Sequence, residues 1–171
     1  YHGWKAEIKA GSEFCLNPDL KIFVYGGIGK DYLKKSAREK ILFSNAGKFF
    51  TFGVEEKWTQ YYFKAGVKPE YTVGKFFIYG DLYVKRPWKV KNKINNFYKE
   101  FELDEKTNYG IELGGGVKRI ADRFDIYVGG FYEKEKSGKS SRIYSDLMSG
   151  LYFYQPETKR ETYGLKMGLK F

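Results

Sequence analysis

The closing stretch of the chain, Glu161 to Phe171, constrains the fold more than any other. It reads Glu-Thr-Tyr-Gly-Leu-Lys-Met-Gly-Leu-Lys-Phe. Tyr163, Leu165, Met167, Leu169 and Phe171 fall on one side of an extended chain, with Gly164, Lys166, Gly168 and Lys170 on the other. Unbroken period two is the mark of a β-strand with one apolar face, because successive side chains point to opposite faces. The stretch ends on an aromatic residue with no polar tail behind it. A soluble sheet rarely ends on an exposed Phe, whereas a strand whose apolar face meets lipid can.

The same alternation recurs throughout. It predicts strands over 4–14, 20–30, 48–58, 61–73, 76–88, 97–105, 108–119, 124–135, 146–154 and 161–171. Turn chemistry separates several of them, at Asn17-Pro18-Asp19, Asn45-Ala46-Gly47, Thr59-Gln60 and Gly74-Lys75. The charged segments Lys34–Lys40, Lys89–Asn96 and Glu135–Ser141 read as loops. No helix-period segment competes and no linker divides the 171 residues, so residues 1–171 form one all-β domain. No stretch approaches the roughly 18 to 20 apolar residues of a membrane helix. A low mean hydropathy is still compatible with a membrane barrel, in which only alternate residues face lipid.

Alternation does not say which face points inward. A soluble barrel puts its apolar face inside and a membrane barrel inverts this. Three features favour inversion. Glycines cluster on the polar face, among them Gly27, Gly29, Gly66, Gly110, Gly114, Gly116 and Gly129, where a solvent-facing sheet would gain nothing from them. Charge on that face is nearly balanced, so ion pairs can fill a lumen. The lumen network is expected to include Lys5, Glu7, Lys9, Lys64, Lys68, Glu70, Asp81, Glu112, Lys118, Asp125, Lys166 and Lys170, with Lys57 and Glu55 on the same polar face. Finally, Trp4, Trp58, Trp88 and Tyr163 mark strand ends, as in an aromatic girdle.

The closing stretch resembles the terminal strand of bacterial outer-membrane β-barrels, which carries a polar residue, then Gly, then alternating apolar residues and a final Phe. Thr162, Gly164, Met167, Leu169 and Phe171 match it, although an aromatic is commoner at the place of Met167. The resemblance implies a closed antiparallel up-and-down transmembrane β-barrel of ten strands, or eight if 97–105 and one neighbour are loop excursions. It implies a monomer in the outer membrane of a Gram-negative bacterium. Its partners would be outer-membrane lipids, including lipopolysaccharide, and the assembly machinery, which would read Gly164, Met167, Leu169 and Phe171. The function expected is a non-enzymatic surface anchor or adhesion-type protein, similar to the OmpA and OmpX class. Two alternatives stay open. One is a transport barrel, either a narrow porin or an autotransporter translocator. The other is a soluble lipocalin-like ligand-binding barrel.

Other chemistries find little support. The barrel enzymes of this membrane rely on an imidazole, and here His2 is the only one, ahead of the first predicted strand. One Cys (Cys15) and one His give no ligand cluster, so no metal or cofactor is expected. Gly114-Gly115-Gly116 lacks the Lys-Ser/Thr of a phosphate loop. The net charge of +10 suggests nucleic acid, but the lysines of the polar face share it with acids, which argues against that partner. Lys89, Lys91 and Lys93, beside Trp88, read either as a solvated loop or as a contact to anionic lipid headgroups.

Overall fold

A computed structural model describes residues 2–95, 100–120, 124–144 and 150–170. The strands are β1 (His2–Cys15), β2 (Leu20–Ser44), β3 (Gly47–Val73), β4 (Phe76–Ile94), β5 (Phe101–Glu105), β6 (Asn108–Ile120), β7 (Phe124–Ser140), β8 (Ile143–Tyr144), β9 (Tyr152–Tyr154) and β10 (Thr158–Lys170). They form one antiparallel sheet. Consecutive strands neighbour one another from β1 to β4. Next to β4 the position is shared. β5 pairs with its far end and β6 with its near end, and both pair with β7 on the other side. β10 follows β7. The ten elements are therefore not the ten predicted, because β5 and β6 are two lengths of one stave interrupted at Lys106-Thr107.

Local chemistry sets the turns. The Asn17 side chain accepts the Asp19 and Leu20 amides at 2.9 and 2.8 Å, which closes the β1–β2 connection. Gly74 turns β3 into β4 at φ 59°, a left-handed conformation that side chains other than Gly rarely adopt. These turns define the proximal end of the sheet, and the β2–β3 turn at Asn45-Ala46 defines the distal end.

Several expected breaks are strand. Thr59-Gln60 is no turn, because β3 runs through it and pairs with β2 along its whole length. Lys34–Lys40 belongs to β2, residues 89–94 to β4 and Glu135–Ser140 to β7. The sheet is therefore much taller than the alternating segments suggested.

The proximal part of the sheet has its polar face inside. Tyr25, Tyr62, Lys64, Tyr79, Asp81, Tyr83, Lys85, Glu112 and Glu133 are buried, while Ile8, Val24, Ile28, Phe63, Val67, Ile78, Leu82, Leu113, Val128, Leu165 and Met167 are exposed. Leu82 and Leu165 keep 58% and 85% of their surface open. The distal part has the reverse arrangement. Val54, Val90, Ile94, Phe101, Leu103, Ile143 and Phe153 form a buried apolar cluster, with Lys57, Lys89, Lys93 and Glu102 on the outside.

Candidate functional site

Where the two arrangements meet, β4 carries one extra residue. Tyr61 pairs with Lys89 and Tyr62 with Pro87, so Trp88 bulges. A bulge reverses which alternate positions face inward. Below it Tyr79, Asp81, Tyr83 and Lys85 point in, and above it Val90, Asn92 and Ile94 do. Trp88 packs on Phe63 with ring centroids 4.4 Å apart and lies near Tyr61 at 6.3 Å. Trp4 stacks on Tyr32, and the Lys30 ammonium lies 5.3 Å from the Trp4 ring and 5.1 Å from the Tyr61 ring. These side chains form an outward aromatic and basic belt across β1 to β4. Tyr163 is exposed on β10, paired with Tyr132 of β7. Trp58, expected in the girdle, faces inward instead. It packs against the distal cluster and donates its indole N–H to Glu56 at 2.9 Å.

Just inside the belt lies a dense cluster of buried charge. Lys85, fully buried, contacts Glu133 and lies 3.4 Å from Asp31 and 3.9 Å from Glu135. Lys5 reaches across from β1 to Glu133 at 3.0 Å and Asp31 at 3.7 Å, and Arg160 contacts Glu135. Tyr83 donates to Glu133 at 3.0 Å, and the Tyr62 hydroxyl is 2.9 Å from Asp31 and 2.8 Å from Glu7. The Asp31, Glu133 and Glu135 carboxylates lie within 4.8 Å of one another, close enough to hold a cation. Lys5, Lys85 and Arg160 already balance their three charges one for one. This makes the group an internal salt-bridge hub, because buried charges persist where they are paired and hydrogen-bonded.

The network extends toward the proximal end. Lys64 lies 3.2 Å from Glu7, and Lys9 pairs with Glu7 at 3.0 Å. Tyr25 donates to Asp81 at 2.7 Å, and Tyr79 and Lys166 donate to Glu112 at 2.7 and 3.1 Å. Lys118 pairs with Glu70 at 2.7 Å. The Lys68 ammonium lies over the Tyr79 ring, 4.2 Å from its centroid. Asp125 sits half-buried on β7. Lys170 ends β10, with its side chain outside the described residues, and Phe171 lies outside the described residues altogether. Lys57 and Glu55, also expected inside, project outward in the distal part, where the Lys34 hydrogen bond holds the Glu55 carboxyl below its usual range.

Glycines make room for the interior rings. Tyr62 pairs directly with Gly29, Tyr25 with Gly66, Tyr83 with Gly110, Tyr79 with Gly114 and Tyr127 with Gly168. In each pair the ring lies where the glycine's Cβ would be, with ring or hydroxyl atoms within 2.3 to 2.8 Å of that point. Gly164 pairs with Phe131 in the same manner, while Leu165, Met167 and Leu169 project outward.

A cavity of about 870 Å³ opens beside the hub, between Gly3–Lys5 of β1 and Thr158–Thr162 of β10. Glu56, Trp58, Gln60, Val90, Glu133 and Glu135 also line it. Among the three lysines expected to meet anionic lipid, Lys89 and Lys93 are exposed on strand β4, not on a loop. Lys91 pairs with Glu100 at 2.5 Å, a hydrogen bond that raises its pKa.

Neither Asp31 nor Glu135 stands out as an interior residue from the alternation, because Asp31 lies just past the segment 20–30 and Glu135 where the segment 124–135 meets a polar stretch. Their phase was the available signal. Asp31 continues the parity of Gly27 and Gly29, and Glu135 that of Glu133. No known protein family matches the chain, and no curated protein does.

Proposed function

We propose that the protein is an integral β-barrel of a bacterial outer membrane, non-enzymatic, which anchors a β-structured tower above the bilayer. The reading rests chiefly on the inverted proximal part, with its exposed apolar face and buried ionic face. A water-soluble sheet would leave Leu82, Leu113, Leu165 and Met167 in water while burying Lys85 and Glu133, losing on both counts. In lipid both choices become favourable. The outward face of β4 from Phe76 to Arg86 is of the right length, since a tilted strand crosses the hydrocarbon in about 9–11 residues. The belt of Trp4, Tyr61, Trp88 and Lys30 suits the headgroup boundary. Above it, Lys89 and Lys93 would face lipopolysaccharide phosphates.

A surface anchor is favoured over a transport pore by the filled interior. Just below the belt Lys85 and Tyr83 of β4 reach Glu133 of β7, and Lys5 of β1 reaches the same carboxylate at 3.0 Å. Tyr62 of the neighbouring β3 packs over Lys85, whose ammonium lies 4.6 Å from the ring centroid. The protein is expected to require detergent, to float with lipid vesicles after reconstitution, and to pass no stable current across a planar bilayer. Recovery in the vesicle-free fraction would remove the membrane reading, and large stable channels would replace the anchor with a pore.

A further inference from the structure

The two outermost staves of the proximal sheet run in the same direction. β1 is antiparallel to β2, and each further step through β3, β4, β6 and β7 to β10 reverses direction once more. An even number of reversals separates β1 from β10, so both run from the distal to the proximal end. Among the described residues, no backbone pair joins them. They are closely matched in length, at 14 and 13 residues. Higher up, the circuit is joined. Ser44 and Phe43 of β2 pair with Phe153 and Tyr154 of β9, and the Ser140 amide of β7 donates to the Gln155 carbonyl at 2.9 Å. The sheet therefore meets itself distally and parts below, with the large cavity at the head of the opening.

We propose that this opening is an acceptor for one further strand, which runs from proximal to distal end and pairs antiparallel with both β1 and β10. The proposal rests on the membrane reading for its driving force. At the level of Ile8 and Leu165 both edges would otherwise direct unpaired N–H and C=O groups into hydrocarbon, at several kcal/mol for each unsatisfied group. The direction of the edges decides the direction of the occupant, and the inverted faces decide its pattern: apolar side chains outward, polar or small ones inward. In the proximal part each stave neighbours the next long stave along the chain, with only the short distal strands β8 and β9 intervening between β7 and β10. A strand that keeps this rule joins β1 at its His2 end or β10 at its Lys170 end. The cavity favours β1, since it borders Gly3, Trp4 and Lys5 and leaves space for a hairpin there. The occupant is thus a polypeptide strand connected to the His2 end of β1.

The probe is a copy of Phe76–Arg86, a stretch that runs proximal to distal and, the inward Phe77 apart, has the required alternation. It is fused through Asn-Gly, a tight-hairpin dipeptide, ahead of Tyr1 in one protein and behind Phe171 in another. Amide hydrogen exchange is then compared with the unfused chain in the same detergent. The fusion ahead of Tyr1 is expected to slow exchange at least tenfold over both Ala6–Phe14 and Tyr163–Leu169, and a fusion of the same residues in shuffled order to slow neither. Four results would overturn the proposal: no slowing, slowing at one edge alone, slowing only in the fusion behind Phe171, or edges already as protected as β3 in the unfused chain. If the protein proves soluble without detergent, the same comparison in buffer reads the opening separately from the membrane proposal.

Discussion

The proximal and distal parts of this sheet share β2, β3, β4 and β7, yet they are solvated in opposite ways. Proximally, Lys85 is fully buried and Leu82 is exposed; a few residues along the same strand, Ile94 is fully buried and Lys93 is exposed. The strands make the switch by different means. β4 inserts Trp88, so its even-numbered apolar residues pass from the outside to the inside. β5 and β6 break at Lys106-Thr107, and the buried parity changes from Asn108 and Glu112 to Phe101 and Leu103. β7 accommodates one extra residue between its partners of Leu103 and Glu105. β3 keeps its parity, and the residue types change instead, from inward Lys64 and Tyr62 to inward Val54 and Trp58. The common feature is a half-period shift in the hydrophobic pattern, which a single solvent would not require. Two media meeting at the Trp4–Trp88 belt would.

That contrast can be broken one part at a time. The largest effect is expected from Phe101→Ala, which empties the centre of the distal cluster and costs about 3–5 kcal/mol, as Phe deletions from packed cores do. Exchange should accelerate at Val90–Ile94 and Phe101–Leu103 and stay unchanged over Phe76–Lys85. Loss of protection in both parts would mean that they unfold as one unit. Next comes Leu82→Arg, on the exposed proximal face. In a bilayer it should cost about 2–4 kcal/mol, read from denaturant titrations in vesicles. The distal change Lys93→Glu should stay within about 0.5 kcal/mol, as ordinary surface substitutions do. Equal costs at the two sites would mean that both face the same medium.

Most of the proximal part was legible in the sequence, because an unbroken alternation such as Tyr163–Leu169 admits one pairing of faces. The inward placement of Gly29, Gly66 and Gly110 followed from the same parity. The distal part was obscured by its own construction. The phase shift between Val54 and Tyr61 looked like two strands joined at Thr59-Gln60, since a reversal of pattern and a reversal of chain leave the same trace in one dimension. The lysines of 89–93 looked like a loop because their apolar partners, Val90 and Ile94, are single residues between charges. The hub was hidden for a different reason. Asp31, Lys85, Glu133 and Glu135 come from three strands far apart in the chain, and only the curvature of the sheet brings them together.

A smaller change tests what keeps the proximal interior in place. A Cβ at Gly110 would lie 2.3 Å from the Tyr83 ring, which is held on one side by Glu133 and covered on its face by the Lys64 ammonium at 3.7 Å. The ring cannot move aside without giving up the hydrogen bond, so Gly110→Ala is expected to cost about 1–3 kcal/mol, the range for overpacking. At Gly26, on the outward face of β2, the nearest atom to a new Cβ is 3.9 Å away, and Gly26→Ala should be close to neutral. Tyr83→Ala removes the obstruction, so Gly110→Ala made in that background should cost at least 0.5 kcal/mol less, roughly the smallest coupling seen between residues in contact. If Gly110→Ala costs no more than Gly26→Ala in the wild-type background, the glycines of the ionic face are not spacers for its rings. The inverted half would then be held by charge pairing alone.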